Sequence, residues 1–396
     1  MKKILLSIII TINLISYNVC AQDPLFTQSY NQPLYQNPAL TGNTRFLRVN
    51  SSHRRQWMKK IEEVSLGTYN TSAISIDKFT PKGIGWGFTT MYDQIGYYGF
   101  NSFRVNTSLA YELILKRAST AITNSTKKNN GWRIRLGLSG GVRDLRIKGI
   151  DNLRFEDEII YGYTEEDIQA ASLVTGLVPD FTFGLISLHH FDYFLKKHPL
   201  KIWWGGAVHN LNAFNNTQNE ALLSGQSTFP VKLSLQGGLE VGLSRLKNAH
   251  SNEKGGNFRI DWIYRKQGIQ NQLDIGTSIS TSVIGYYDYG SKNRKLRKYY
   301  SLLAGIRWRG VTFEDELNFT NDINIFTFHG GINVADEILV ELSYDIPVWN
   351  LGYADLGGTV ELGVVFHFGH GSVHSDLPWE KYSWKERKKF PLMRMR

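Results

Sequence analysis

Among its 396 residues the chain has a single cysteine, Cys20, which sits at the end of an N-terminal apolar run. Disulfides, thiol catalysis and cysteine metal sites are thereby excluded from the remainder. Past the first twenty residues no apolar stretch is long enough to cross a bilayer as a helix. Acid is the minority charge, with 35 Asp and Glu against 45 Lys and Arg and a formal net charge of +10. A phosphate-cradling glycine loop is also missing. Gly83, Gly85 and Gly87 alternate along an extended segment, a pattern of close backbone approach or of room for a bulky neighbour.

What the chain has instead is alternation. In Thr359–Phe368, Val360, Leu362, Val364, Phe366 and Phe368 oppose Thr359, Glu361, Gly363 and His367. Phe103–Leu113 sets Phe103, Val105, Thr107, Leu109, Tyr111 and Leu113 against Arg104, Asn106, Ser108, Ala110 and Glu112. Val231–Leu243 repeats the pattern, with Lys232, Ser234, Gln236 and Glu240 on its polar side. A period of two means strands with one apolar face. A soluble sandwich alternates too, but here charges occupy mid-strand positions beside bulky apolar and aromatic neighbours. A transmembrane barrel produces that combination, because its outside meets lipid while its lumen is polar. A mean hydropathy of −0.28 with 13% aromatic residues agrees, since only alternate strand residues face lipid.

Lys2 and Lys3 precede the apolar run Ile4–Ile15, and Val19-Cys20-Ala21 offers small residues for cleavage before Gln22. Residues 1–21 therefore read as a secretory signal. Acylation of Cys20 would need a lipobox, and Tyr17-Asn18-Val19 is a poor one. Cleavage removes Lys2 and Lys3 and takes the net charge from +10 to +8.

Fourteen segments carry the strand pattern: 45–57, 65–77, 83–93, 101–115, 131–146, 178–190, 200–211, 230–244, 257–266, 271–283, 299–309, 324–333, 338–346 and 357–368. The stretch 311–320, interrupted by Glu314-Asp315-Glu316, reads as a loop. The expected fold is all-β, a transmembrane antiparallel barrel over 45–368 with an ordered arm at 22–44 and a basic tail at 369–396. An even strand count places both barrel ends in the periplasm. The outward loops 147–177 and 310–323 are then acidic. The inward turns hold Lys116, Arg117, Lys127, Lys128, Lys196 and Lys197, and the cluster Lys292, Arg294, Lys295, Arg297 and Lys298. The tail adds further cations, Lys388 and Lys389 among them. A basic periplasmic rim attracts acidic protein surfaces or anionic polymers, although each turn taken singly reads as a solvated loop. Several inward connections are longer than barrel turns usually are.

The segment Gln22–Asn43 has no alternation. Its prolines at 24, 33 and 38 exclude a regular strand or helix, while Phe26, Tyr30 and Tyr35 make it too aromatic for a loose linker. It reads as an arm packed on or inside the barrel mouth. Asn37-Pro38-Ala39-Leu40-Thr41-Gly42, after a Gln-Asp-Pro start, resembles the opening of the PorP/SprF family of Bacteroidota outer-membrane proteins. Arg54-Arg55-Gln56-Trp57 is similar to that family's R-x-Q-W, followed by Tyr69–Ala73 and Asp77. Gly83 through Asp93 and Gly96, Pro179-Asp180-Phe181, Leu342-Ser343-Tyr344-Asp345 and Glu361-Leu362 continue the likeness over nearly the whole chain after the signal. The residues carrying it most directly are Asn37, Pro38, Ala39, Gly42, Arg55, Gln56, Trp57, Tyr344 and Asp345. Leu40-Thr41 and the basic tail depart from it.

The resemblance implies a role in type IX secretion and gliding motility. It implies a non-catalytic barrel in outer-membrane lipid that helps export and display a partner adhesin bearing a C-terminal sorting domain. Contacts with periplasmic secretion components near peptidoglycan are implied as well, through a basic rim that would include Lys292–Lys298 and Lys388-Lys389. No cofactor, metal or nucleic acid enters this reading.

An outer-membrane hydrolase would need a nucleophile with an acid–base pair, and no such constellation emerges. His189 and His190 face opposite sides of one strand. His329 and His367 read as polar lumen residues, and Gly369 and Gly371 argue against a helix that would pair His370 with His374. Arg307-Trp308-Arg309 reads as an interface tryptophan between lumen arginines rather than a nucleic-acid site. Arg104, Glu112, Arg133, Arg135, Lys232, Glu240, Arg259, Asp261, Arg265, Asp274 and Arg307 are expected to face the lumen. Such charges either tune an open pore or pair and fill it. The arm favours a plugged barrel over the alternative, a passive porin.

Overall fold

The computed structural model describes residues 23–44, 47–56, 69–80, 83–95, 100–116, 130–147, 176–194, 198–214, 230–243, 256–289, 295–314, 320–334, 337–349 and 357–368. They form fourteen antiparallel strands in a closed barrel. These are β1 (Leu47–Gln56), β2 (Tyr69–Phe79), β3 (Ile84–Ile95), β4 (Phe100–Lys116), β5 (Asn130–Ile147), β6 (Gly176–Phe194) and β7 (His198–His209), then β8 (Lys232–Gly242), β9 (Asn257–Gln267), β10 (Gln270–Tyr289), β11 (Lys295–Glu314), β12 (Thr320–Val334), β13 (Ile338–Trp349) and β14 (Thr359–Phe368). Each strand pairs with its neighbours in sequence, and β1 closes on β14 from Leu47↔Phe368 to Arg55↔Val360. Among the described residues no helix is long and apolar enough to cross a membrane.

Closure satisfies the backbone donors and acceptors that lipid cannot, and the side-chain period then divides outside from inside. On β4 the outward Phe103, Leu109, Tyr111, Leu113 and Leu115 are exposed, whereas Arg104, Ser108 and Ala110 are buried. On β13, Val340, Leu342, Tyr344, Ile346 and Val348 face out, and Glu341, Ser343 and Asp345 face in. Polar residues dominate the buried set and apolar ones the exposed set, the reverse of a soluble core.

Each of the fourteen expected segments contains a strand, and two differences of extent matter here. The stretch 311–320 is not wholly a loop: β11 runs through Glu314 and β12 starts at Thr320. Gly268-Ile269 turns β9 tightly into β10, so the ladder starts at Gln270↔Phe313, and Glu314↔Thr320 prolongs it on the other edge. Backbone pairing continues there without an apolar face, because that face is needed only where lipid touches it. The basic cluster expected in a turn is likewise partly strand. Lys295, Arg297 and Lys298 pair with Tyr289, Tyr287 and Tyr286, on a tyrosine-rich stretch of high strand propensity. Pairing of β9 with β10 stops at Ser280 and that of β11 with β12 at Tyr300, so 281–289 and 295–299 form a two-stranded ribbon beyond the neighbouring strands. Lys292, Arg294, Trp57 and the whole tail, Lys388 and Lys389 included, lie outside the described residues.

Four of the turns on the side where β1 starts, 80–83, 195–197, 290–294 and 335–337, are short. The stretches 117–129 and 243–256 are the long ones.

The in–out division makes a depth-dependent prediction. Leu138, 61% exposed in the middle of β5, should cost about 2–4 kcal/mol when replaced by arginine. Leu177, 72% exposed near the start of β6, should cost about 0–1 kcal/mol for the same change. Urea unfolding of L138R and L177R in lipid vesicles measures both, and equal costs would contradict the membrane placement of this wall.

Candidate functional site: an arm seated in the lumen

Eight-stranded barrels are filled by their own side chains, and wider ones leave space. Here residues 23–44 occupy it. Each proline after the first opens a short turn: Pro33 stands at the first position of a single helical turn, α1 (Pro33–Gln36), and Pro38 begins a 3-10 turn over Pro38–Leu40. The sequence reading excluded any helix, but proline is well tolerated at a first helical position, where its missing N–H has no intrahelical partner anyway.

Wall glycines make the bed on which this arm lies. A Cβ added at Gly137 would strike the Pro38–Ala39 backbone, one at Gly184 the Asn37 side chain, and one at Gly85 the Thr41 carbonyl. Gly87 leaves room for Leu34, and Gly363 for Gln28 and Asn31. The alternating Gly85 and Gly87 thus serve close backbone approach and a bulky neighbour, respectively. Gly42 adopts φ +65°, and its N–H donates to Asp77 at 2.6 Å. Asp77 is held in turn by Arg48 through two bonds of 2.9 and 2.8 Å.

Polar contacts fix the arm along its length. At one end the Asp23 carboxylate receives Arg104 at 2.6 Å, Arg143 at 2.8 Å and Lys232 at 2.9 Å. Its backbone N–H donates to Gln267 at 3.1 Å. Three cations thus converge on one buried carboxylate. The N–H groups of Thr27 and Gln28 both donate to Glu361, at 2.6 and 2.9 Å. The Thr27 hydroxyl links Arg54 at 2.7 Å to Asp345 at 2.8 Å. Tyr30 donates to Glu341 at 2.7 Å. Asn37 donates to the Leu185 and Gly206 carbonyls at 3.2 and 3.1 Å. Arg135, fully buried, donates to the carbonyls of Ala39 at 2.8 Å and of Thr41.

Apolar contacts are few and local. Phe26 packs with Ala73 and Met91 and meets the Tyr35 ring edge-on at 6.0 Å. Ala39 packs with Ile186 and Leu188, with Leu40 and Trp203 against that cluster. A cavity of about 20 Å³ lined by Phe26, Tyr35, His209, Lys232 and Arg265, among others, has room for about one water.

Every inward-facing arginine and lysine described has a carboxylate within 4.0 Å, so the lumen charges pair instead of ringing a water path. The expected lumen residues all take part: Arg133 and Arg135 on Glu112, Arg259 on Glu240, Arg265 on Asp274 and Arg307 on Asp261, besides Arg104 and Lys232 on Asp23. His190 is buried and His189 stacks on Trp132, while His329 meets Tyr30. Among the described residues no three His, Cys, Asp or Glu side chains could hold a metal ion.

The residues singled out in the sequence separate into two sets. Asn37, Pro38, Ala39, Gly42 and Asp345 are buried in the lumen contacts just described. Arg55 and Tyr344 face outward, and Gln56 is half-buried at the end of β1. The arginine that reaches the lumen from β1 is the neighbouring Arg54, as strand alternation requires. Gly137 and Gly184 escaped notice; their signal was glycine at polar-face positions of otherwise regular strands.

The profile of the type IX secretion system membrane protein PorP/SprF family matches residues 18–366. No curated protein sequence matches the chain. Among solved structures, the CymD monoaromatic hydrocarbon channel is similar at TM-score 0.40 and 11% identity, over 89% of this chain and 94% of that one. CdiB from Escherichia coli gives TM-score 0.42 and 8% identity, over 81% and 63%. The KdgM porin gives TM-score 0.29 and 8% identity, over 81% and 99%. Likeness at that level concerns the fold alone.

A bed of glycine is intolerant of side chains. Gly137→Ala should destabilise the seated arm by about 1–3 kcal/mol and open Phe26, Tyr30, Leu34 and Tyr35 to chymotrypsin. Gly330→Ala, whose new Cβ would meet only the Leu303 carbonyl at 3.6 Å, should leave the digestion pattern unchanged. Mass spectrometry of limited digests in detergent reads both.

Proposed function

Because the chain belongs to the PorP/SprF family of type IX secretion system membrane proteins, we propose that this outer-membrane barrel is a non-catalytic accessory that helps export a partner adhesin and hold it at the surface. The adhesin would carry a C-terminal sorting domain and serve gliding motility. The observation that carries this reading is the occupied lumen. The arm stands where a polypeptide or solute would have to pass, and every inward cation described is neutralised by a carboxylate. Cargo therefore travels by another route, and this protein offers it an attachment point. A passive channel needs a continuous water path, and the seated arm argues against one.

On the periplasmic side, Lys295, Arg297 and Lys298 stand on a ribbon that extends past the neighbouring strands. With Lys292, Arg294, Lys388 and Lys389 they supply positive charge for an acidic secretion component or for anionic polymer near peptidoglycan. Delivery begins with the Sec-type signal at residues 1–21.

Crosslinked pull-down from intact cells tests the partners. Full-length protein should recover a large surface adhesin together with periplasmic secretion components, and a chain ended after Phe368 should lose the periplasmic set alone. Recovery of neither class would refute the accessory role. Planar-bilayer recording tests the closed lumen. The intact chain should show no steady nanosiemens conductance, and a chain lacking residues 23–40 should show one. A conducting intact chain would install the porin reading instead.

A further inference from the structure

We propose that the chain threads its own barrel, so that Asp23 lies at the surface-side mouth while β1 starts and β14 ends at the periplasmic one. The argument is one of strand parity. Leu47 begins β1 opposite Phe368, the last residue of β14, so the chain enters the first strand and leaves the last at the same mouth. In an antiparallel barrel every odd strand runs away from that mouth and every even strand returns to it.

The two ends of the arm lie at different mouths. Its Gly42 end sits beside the turn between β2 and β3, since a Cβ there would meet the Lys78 carbonyl oxygen at 2.8 Å and Gly85 Cα at 2.7 Å. An even strand finishes at that turn, so it belongs to the mouth shared with Leu47 and Phe368. At the other end, Asp23 is bound by Lys232, the first residue of β8, and by Gln267, the last residue of β9. Asn210, the residue after β7, donates to it at 3.4 Å. The end of an odd strand and the start of an even one mark the opposite mouth.

Residues 23–44 thus run the length of the lumen, which spans the apolar band of about 25 Å typical of such barrels. The orientation rests on the outer-membrane reading, in which an even-stranded barrel keeps both strand ends in the periplasm. Asp23 and Phe368 then stand at opposite mouths of the barrel. Assembly is constrained too. The arm bonds Glu361 of β14, Arg54 and Ser52 of β1 and Asp345 of β13 from inside. Its upstream end must therefore be free of any inner-membrane signal before β1 closes on β14.

Three single cysteines decide the matter, each in a Cys20→Gln background that keeps Val19 and Ala21 for signal cleavage and denies a thiol at position 22 a lipobox: Gln22→Cys, Asp157→Cys in the outward connection 148–175, and Asp376→Cys in the tail. Cells are treated with a membrane-impermeant maleimide before and after outer-membrane permeabilisation. Threading requires position 22 to label in intact cells together with 157, and 376 only after permeabilisation. Labelling of 22 together with 376 would overturn it. If 376 labels in intact cells and 157 does not, the orientation is wrong, and threading then stands or falls on whether 22 again sides with 157. Should Gln22→Cys disturb folding, an epitope inserted between Ala21 and Gln22 replaces it. Antibody binding on intact cells to a barrel that still resists unheated SDS supports threading, and binding only after permeabilisation refutes it.

Discussion

Asp23 is reached by cations from three separate strands, Arg104 of β4, Arg143 of β5 and Lys232 of β8, at 2.6, 2.8 and 2.9 Å. A charge left alone in a filled lumen costs several kcal/mol, and this requirement orders the interior. Arg104 and Arg143 also lie near Asp180, whereas among the described residues Asp23 is the one carboxylate within 4.0 Å of Lys232. Remove the arm, and the wall keeps its cations while losing the anion that three of them share. The wall and the arm are therefore one electrostatic unit. The same holds across the seam, where Arg54 is compensated by Asp345 and Glu361 while Glu361 caps two arm N–H groups.

Shape and polarity divide the work between wall and arm. Gly85, Gly87, Gly137, Gly184 and Gly363 remove side chains where the arm passes, letting backbone meet backbone. The arm answers with short amides and hydroxyls. Asn37 spans to two wall carbonyls, and Gln32 reaches Ser52 and the Ala73 carbonyl. An amide is well suited to this position, since it can both donate and accept among buried peptide groups. That accounts for an Asn- and Gln-rich arm without lysine or arginine: a mobile cation there would compete with the wall for the same carboxylates.

Much of this was legible in the sequence, for reasons that differ by element. Strand number and facing followed from period two, because lipid enforces apolar residues outside wherever a strand crosses. Strand ends were less legible, as at 311–320, because beyond the lipid only backbone pairing decides length. The ordered arm could be read from Phe26, Tyr30 and Tyr35 among prolines, yet its path through the lumen could not, since contacts such as Thr27 with Asp345 join residues far apart in sequence. Four scattered acidic residues of the family-like set share one physical meaning in the fold. Asp77, Asp345 and Glu361 bond the arm directly, and Asp180 braces the arginines that do. Arg55 and Arg54 show the limit of motif reading: a one-residue choice decides between membrane face and lumen.

The filled lumen also constrains how such a barrel takes part in secretion. An unfolded polypeptide in transit needs its backbone groups solvated or paired, so it needs water around it. Making that space here means withdrawing the arm, which would leave Arg104, Arg143 and Lys232 short of an anion and free Glu361 from two N–H donors. Several such losses together exceed the few kcal/mol by which one ligand ordinarily shifts a two-state equilibrium. Engagement at the rims asks for none of this, because the ribbon of 281–289 and 295–299 extends past the paired strands. A barrel built this way is a rigid post across the membrane, and whatever binds it without displacing the arm binds at one of its ends.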